Sequence, residues 1–293
     1  MHFKQKIGEA IAPYHLLIEK KITESLSLFG PKSPLSDACA YALKNGGKRF
    51  RPALVLIIAK SLQANHPSQT LIDAALAIEY FHTASLIADD LPCMDDDDER
   101  RECPSLHKAF NETIALLATY ALISAGYDKI RTAALEQNEL LSLALASATY
   151  NTGIFGATGG QLLDLYPPEE INSDLLAEVI QKKTGTLFEL SFVFGWLFGG
   201  GDPQQLPLVK KSAAHFGTAF QIVDDFLDYE EDLGKERKIN AAIILGKEKA
   251  YEVLERELEE LERTLGVLNL HSQELSDMIG ALSPYTCASS SSS

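Results

Sequence analysis

Residues 71–95 read LIDAALAIEYFHTASLIADDLPCMD. Leu71 to Ala88 is an apolar helical run that ends on Asp89 and Asp90, with Asp95 following after a short loop. A second acidic group, Asp224-Asp225-Phe226-Leu227-Asp228, closes another apolar run, Ala213 to Val223. Carboxylates this close repel one another and resist desolvation. A folded chain keeps two such groups at the ends of apolar helices most easily when a cation neutralises them. Oxygen-only donors suit a hard ion, and Mg²⁺ takes one or two carboxylates and fills its shell with water and substrate phosphate. Two facing groups of this kind would hold a diphosphate through bridging magnesium.

Outward from these two stretches, helical periodicity dominates. Segments 53–62, 71–88, 114–122, 140–149, 174–181, 209–229 and 247–265 all read as helices. Runs of alternating β-branched residues between turn signals are scarce. Breakers fall between the helices at Gly30-Pro31, Gly46-Gly47, His66-Pro67, Pro167-Pro168 and Gly199-Gly200-Gly201-Asp202-Pro203. No repeat of 20–50 residues and no dividing linker is visible, so the pattern predicts one all-α domain over residues 1–288. The serine run 289–293 reads as a disordered tail.

Composition narrows the function. The chain has 293 residues, 46 % of them hydrophobic, which fits a packed core. Its net charge of −15, from 41 acids and 26 bases, argues against a nucleic-acid partner. The same charge also argues against a phosphorylated substrate, until one sees that the acids cluster; bound divalent ions would invert the local sign. Cys39, Cys93, Cys103 and Cys287 show neither zinc spacing nor a disulfide framework, and read as reduced thiols of a cytoplasmic protein. No signal peptide is visible in residues 1–12, and no stretch reads as a membrane span.

Several further residues gather around the acids. His82 lies seven residues before Asp89 and shares its face; a lone helical His is most often a packing residue, but here it could donate to a diphosphate oxygen. Arg100 and Arg101 directly follow the first cluster, either as a structural ion-pair set or as bidentate phosphate ligands. Gln221, Asp224 and Asp228 line one helix face beside the apolar stripe Phe216, Phe220, Val223 and Leu227. Aspartate is a poor helix former, so three within two turns need a gain from elsewhere. Gly46-Gly47-Lys48-Arg49-Phe50-Arg51-Pro52 joins a glycine turn to three cations, with Lys48 and Arg51 on one side. Lys183-Thr184-Gly185 alone says little, and Gly159-Gly160-Gln161 with Asp164 fits close helix packing.

Taken together, GGKRFRP (46–52), HTASLIADDLPCMDDDDERR (82–101), GGQLLDL (159–165), KTGTLF (183–188) and FQIVDDFLD (220–228) resemble the trans-isoprenyl diphosphate synthases. This is the farnesyl and geranylgeranyl diphosphate synthase, or polyprenyl synthetase, family. Each pattern is short, but the five occur in family order and span most of the chain.

The resemblance implies an orthogonal helical bundle around a central cavity, the isoprenoid synthase fold. It implies that Asp89, Asp95 and Asp224, supported by Asp90, Asp225 and Asp228, bind about three Mg²⁺ on an allylic diphosphate. Arg100, Lys183 and Lys238 would complete that grip, and Thr184 and Gln221 would place oxygens near the allylic cation. Isopentenyl diphosphate would sit on Lys48, Arg51, His82 and Arg101. Ionisation would then be driven by stabilising the leaving group, with the released pyrophosphate as proton acceptor. The family is usually homodimeric, and segment 114–122 is the candidate interface. The product tail would grow beside the helix before Asp89. Ala84 and Ser85 are small there, and Phe81, about one turn deeper, would form the floor. That arrangement implies a C20 product, geranylgeranyl diphosphate, with C15 next.

Three departures from the family pattern stand out. Glu102 replaces the Gly that follows the Arg pair, Thr119-Tyr120 replaces a Gly-Asp, and the loop before Lys238 is short, so that Lys235 is either a substitute for one expected lysine or merely exposed. Two other readings compete: a terpene cyclase of the same fold, and a non-catalytic subunit that pairs with an active prenyltransferase. The intact GGKRFRP and second acidic motif argue against the cyclase, which needs no second diphosphate site. Both acidic motifs being intact argues against the subunit.

Overall fold

A computed structural model describes residues 2–62, 67–168, 171–234 and 239–283. Lys235, Lys238, Cys287 and the serine run lie outside them. The described chain is almost entirely helical, as the periodicity predicts. In order, its helices are α1 (His2–Ser25), α2 (Pro34–Lys44), α3 (Phe50–Ser61), α4 (Gln69–Asp89), α5 (Leu106–Ala109), α6 (Glu112–Ala133), α7 (Asn138–Thr152) and α8 (Ala157–Leu165). There follow α9 (Ser173–Val179), a π-helical turn (Ile180–Gly185), α10 (Thr186–Phe198), α11 (Leu206–Leu227), α12 (Tyr229–Gly234), α13 (Ala241–Ile244), α14 (Lys247–Val267) and α15 (Gln273–Leu282).

Local chemistry explains the boundaries. Ser68, Asn111, Asn172, Asn240 and Ser272 each accept a backbone N–H at a helix start, and Ser33 forms a reciprocal capping box with Ser36. The helix expected to reach Tyr229 stops at Leu227, with Asp228 as its C-cap. The helix expected over 174–181 ends at Val179 and widens into the π turn. Helices α1 and α10 carry no clear signal in the sequence. Pro13 interrupts the first, although Phe3, Ile7, Ile11, Tyr14, Ile18 and Ile22 form its buried stripe. The second is apolar on every side and so has no period.

Helix α4 is the axis of the bundle. It packs against α3, α6, α10 and α1, and nearly every residue from Leu71 to Ile87 is buried. The sequence reading finds no membrane span, yet α4 is long and apolar enough to cross one; 78 % of its apolar window is buried inside the bundle. That burial accounts for its composition, since a helix packed on all sides must be apolar on all sides. Helix α10 crosses α3 so closely that a Cβ on Gly195 would lie 2.6 Å from Ile58 Cβ and 2.7 Å from the Val55 carbonyl oxygen. The C-terminal helices close the bundle, α14 against α11 and α15 against α1.

After α4 comes a two-stranded hairpin, β1 (Glu99–Arg100) with β2 (Cys103–Pro104), antiparallel. Its turn residues Arg101 and Glu102 have φ of 57° and 65°, the left-handed conformation demanded by a two-residue primed turn. Glycine adopts this region without strain; a side chain such as Glu102 costs about 1 kcal/mol there. The hairpin thus forms without the family's glycine. At the second departure, Thr119 is buried and bonds back to the Ala115 carbonyl (3.1 Å), while Tyr120 faces solvent.

Candidate active site

The first acidic motif is divided by the end of α4. Asp89 is the last helical residue, and the following loop turns back so that the Asp95 N–H donates to the Asp89 carbonyl (2.9 Å). Burial raises the Asp89 pKa to about 6; Lys183 opposes that rise and Asp95 adds to it. Asp89, Asp95 and Lys183 therefore share one electrostatic site. Asp90 instead faces inward, 3 % exposed, and accepts from Arg100 Nε at 2.9 Å; the same Arg100 reaches Asp97 at 2.9 Å. In this state Arg100, expected on the allylic diphosphate, is committed to two carboxylates.

The second motif is divided in the same way. Asp224 lines a cavity with His82, Arg51 and Arg101. Asp225 is buried, and its carboxylate accepts from Gln221 Nε2 (2.8 Å) and from the Ala241 N–H (2.7 Å). Burial raises its pKa to about 6, against the pull of those two bonds. Asn240 donates to the Asp225 carbonyl (3.0 Å) and to Asp232 (2.9 Å), tying the end of α11 to the start of α13. Asp228 caps α11.

The π turn joins the two motifs. Its Lys183 forms an ion pair with Asp164 of α8 and lies within electrostatic reach of Asp89. The next residue, Thr184, donates to Gln221 Oε1 (2.6 Å), so a relay Thr184–Gln221–Asp225 runs from the turn into α11. Two glycines permit this approach. A Cβ on Gly160 would meet Lys183 N at 2.5 Å, and one on Gly217 would meet Gly185 Cα at 3.1 Å. The widened i→i+5 geometry, frequent at functional sites, brings Lys183 and Thr184 to the two acidic motifs together.

A cavity of about 240 Å³ holds the expected cationic site. Its lining includes Lys48, Arg51, His82 and Arg101, the four residues the sequence reading groups, together with Glu79, Phe220 and Asp224, the last of which that reading places with the metal ligands instead. Burial lowers the Arg51 pKa to about 10, its Nε has no hydrogen-bond partner among the described residues, and its guanidinium lies 4.9 Å from the centre of the Phe188 ring. Burial, then the neighbouring arginines Arg51, Arg101 and Arg49, hold the His82 imidazole well below its usual range, so it is neutral. Phe50, Phe188, Phe216 and Phe220 form an apolar aromatic wall, with Phe50 and Phe220 stacked at 5.4 Å.

Arg49, the middle cation of GGKRFRP, does not join the lining as a free charge. Its Nε and Nη1 donate to Glu19 and Glu79 at 2.6 Å, and its Nη2 to the Leu43 carbonyl at 2.6 Å. Sequence reasoning missed this Glu19–Arg49–Glu79 chain, although a lone Glu in the middle of an apolar helix was a visible signal. Phe3 and Ile7 of α1, which also line the cavity, had none.

The donors present fit a hard divalent ion. Asp89, Asp95 and Asp224 offer only oxygen, and Asp89 carries a burial-raised pKa that a cation would relieve. Asp90 and Asp225 are engaged elsewhere in this state. Asp89, Asp95 and Asp224 are not drawn together as tightly as a metal shell; among the described residues the group whose ligand atoms lie within 4.8 Å of one another is Asp96, Asp98 and His107 beside the hairpin, with Asp98 also paired to Lys108 at 2.7 Å.

At the expected tunnel, Ala84 and Phe81 are buried and Ser85 is half-buried. Phe81 presses into α6, where a Cβ on Gly126 would lie 2.6 Å from its ring, and it meets Tyr127 edge-on at 5.1 Å.

Residues 32–262 match the polyprenyl synthetase family model. The chain is 34 % identical to geranylgeranyl pyrophosphate synthase 4 of Arabidopsis thaliana over 253 residues, covering 82 % of this chain and 67 % of that one. It is 32 % identical to geranylgeranyl pyrophosphate synthase 11 of the same plant over 293 residues, covering 94 % and 81 %. Among solved structures, it superposes on an FPP/GFPP synthase from Zymomonas mobilis with TM-score 0.80 at 27 % identity, covering 94 % of this chain and 98 % of that one. A geranyltranstransferase from Thermotoga maritima gives TM-score 0.73 at 28 % identity, covering 92 % and 97 %. With the five motifs gathered around one site of this shape, the chain belongs to the polyprenyl synthetase family of trans-isoprenyl diphosphate synthases and is a prenyltransferase.

Proposed function

We propose that this prenyltransferase joins isopentenyl diphosphate head to tail (1′–4) to an allylic diphosphate in a Mg²⁺-dependent reaction, with geranylgeranyl diphosphate as its main product. One observation carries the reading. Asp89, Asp95 and Lys183 act on one another but are absent from the lining of the cationic cavity at Lys48, Arg51, His82 and Arg101, which supports separate seats for two diphosphates.

Asp89, Asp95 and Asp224, with Asp228 in support, would hold magnesium, which would supply positive charge to stabilise the departing diphosphate. Lys183, on exchanging Asp164 for that diphosphate, adds an ammonium to the same leaving group. Thr184 and Gln221 hold oxygens toward the allylic carbon, and their mutual bond fixes both in place before any cation forms. Arg51 and Arg101, with Lys48, bind the second diphosphate, while neutral His82 offers a hydrogen bond without adding charge. The Phe220 and Phe50 rings shield the five-carbon chain from water. The carbon–oxygen bond breaks, the isopentenyl double bond forms the new carbon–carbon bond, and the released pyrophosphate accepts the proton lost from the chain.

The test is product analysis with isopentenyl diphosphate and allylic primers of increasing length, with and without Mg²⁺. Pyrophosphate release from an allylic substrate alone would identify a cyclase. A folded protein that condenses nothing at any Mg²⁺ concentration would identify a non-catalytic subunit.

Product length rests on where side-chain bulk begins. Ala84, five residues before Asp89, is small and buried, and Phe81, packed against Gly126, is the large side chain about one turn deeper, which supports a tail longer than C15. Ala84→Tyr should shift the main product from C20 to C15; an unchanged distribution sinks this placement. The protein also presents the exposed apolar row Leu116, Leu117, Tyr120 and Ile123 on α6, which supports a homodimer through the 114–122 segment. Sedimentation should then give twice the 32.1 kDa chain mass, and Tyr120→Glu should weaken the dimer.

A further inference from the structure

The segment that carries Lys48 and Arg51 is poorly held by its own backbone. Gly46, Gly47 and Arg49 all have positive φ, 70°, 109° and 53°. For Arg49, the N-cap of α3, that conformation costs about 1–2 kcal/mol. What fixes the segment is a set of side-chain contacts. Arg101 Nη1 donates to the Gly46 carbonyl, and its guanidinium lies flat against Gly47, where a Cβ would come within 2.4 Å of Cζ. The Arg49 fork, anchored on Glu79, Glu19 and the Leu43 carbonyl, holds the other end.

Glu79 lies at the centre of this arrangement. It is 1 % exposed, on the axial helix α4, three residues and so about one turn before His82. Besides its bond to Arg49, it is the leading electrostatic attraction on both Arg51 and Arg101. Burying a carboxylate here for stability alone makes little physical sense, because a well-packed apolar pair is usually as stable as a buried ion pair. A fixed charge at the base of three guanidiniums has a different consequence: it holds their relative positions before a diphosphate arrives.

We infer that Glu79 is a positioning residue for the isopentenyl diphosphate seat, acting through Arg49 to set Lys48 and Arg51 and through its charge to draw in Arg101. The inference rests on the two-seat reading above. A purely electrostatic role has the opposite sign, since removing a negative charge from beneath the arginines would tighten diphosphate binding.

The measurement is steady-state kinetics of Glu79→Gln with each substrate varied separately. KM for isopentenyl diphosphate should rise at least about tenfold, with kcat within about threefold of wild type and the allylic KM unchanged. Arg49→Lys, which keeps the charge but loses the three-way fork, should reproduce that split, and the double variant should be no worse than the poorer single. If Glu79→Gln does not fold, Glu79→Met/Arg49→Met replaces the buried pair with an apolar one and carries the same readout. An isopentenyl KM that stays put or falls overturns the inference. So does an equal loss for both substrates, which marks a merely structural role. A wild-type enzyme that condenses nothing would instead overturn the two-seat reading.

Discussion

Asparagine at Asp89 is expected to lower condensation by about 10²–10³-fold, while the metal-free protein becomes more heat-stable. The activity loss follows from removing one anionic oxygen where charge on the leaving diphosphate must be neutralised; single groups in that role are worth about 10²–10³ in rate. The stability gain follows from linkage. Folding raises the Asp89 pKa from 3.8 to about 6, mainly through burial. The folded state therefore binds more protons than the unfolded state between those values, and metal-free stability falls as pH rises from about 4 through 6. Asparagine carries no proton to lose, so the variant escapes this cost at pH 7. Wild type should recover its deficit on adding Mg²⁺, and Asp89→Asn should recover less. Thermal unfolding at pH 5 and pH 7, with chelator and with Mg²⁺, checks the sign; a wild type more stable at pH 7 than the variant without metal would refute it.

Less damaging than the loss of Asp89, a methyl group on Gly160 should also lower activity. Its Cβ would sit 2.5 Å from Lys183 N and 2.7 Å from Lys182 C, both backbone atoms that cannot swing aside. The π turn must then move away from α8, taking the Lys183 ammonium and the Thr184 hydroxyl with it. Overpacking of this kind costs about 1–3 kcal/mol of stability, which a chain of this size should survive. Displacing reacting groups by about 1 Å can cost 10²-fold in rate. Gly160→Ala should thus fold, bind isopentenyl diphosphate normally, and lose about 10–100-fold in kcat. Gly266→Ala on α14, where a Cβ meets nothing within 4 Å, is the control and should leave activity unchanged. Equal behaviour of the two variants would show that the Gly160 contact does not position the turn.

Much of this architecture was legible in the sequence. Helices α6, α7, α11 and α14 were found because one stripe of each meets the core, and α3 and α4, buried on nearly every side, because their apolar runs are long. The hidden helices have physical reasons. Pro13 breaks the pattern of α1, α10 has no polar face to set a phase, and α2 and α15 are short and owe their starts to serine caps. The close approach expected at Gly159-Gly160 is real at Gly160, but what it approaches, the π turn, could not be read from α8 alone.

The site divides along the same line. From the sequence alone came the chemistry: two carboxylate groups ending apolar helices, a glycine turn with cations, and lysines and arginines in family order. Those features are local, because residue type and helical spacing decide which groups share a face. The tertiary structure decided which of them look into the site. Asp224 lines the cavity and Asp89 lies within electrostatic reach of Lys183, while Asp90 turns to Arg100 and Asp225 to Gln221 and Ala241. Arg49 and Arg51 both line the cavity, but the Arg49 guanidinium is anchored on Glu19 and Glu79, each 30 positions distant. Adjacent charges in one motif have the same local signal, and only the partners that folding brings from far along the chain can separate the residue that binds from the residue that holds.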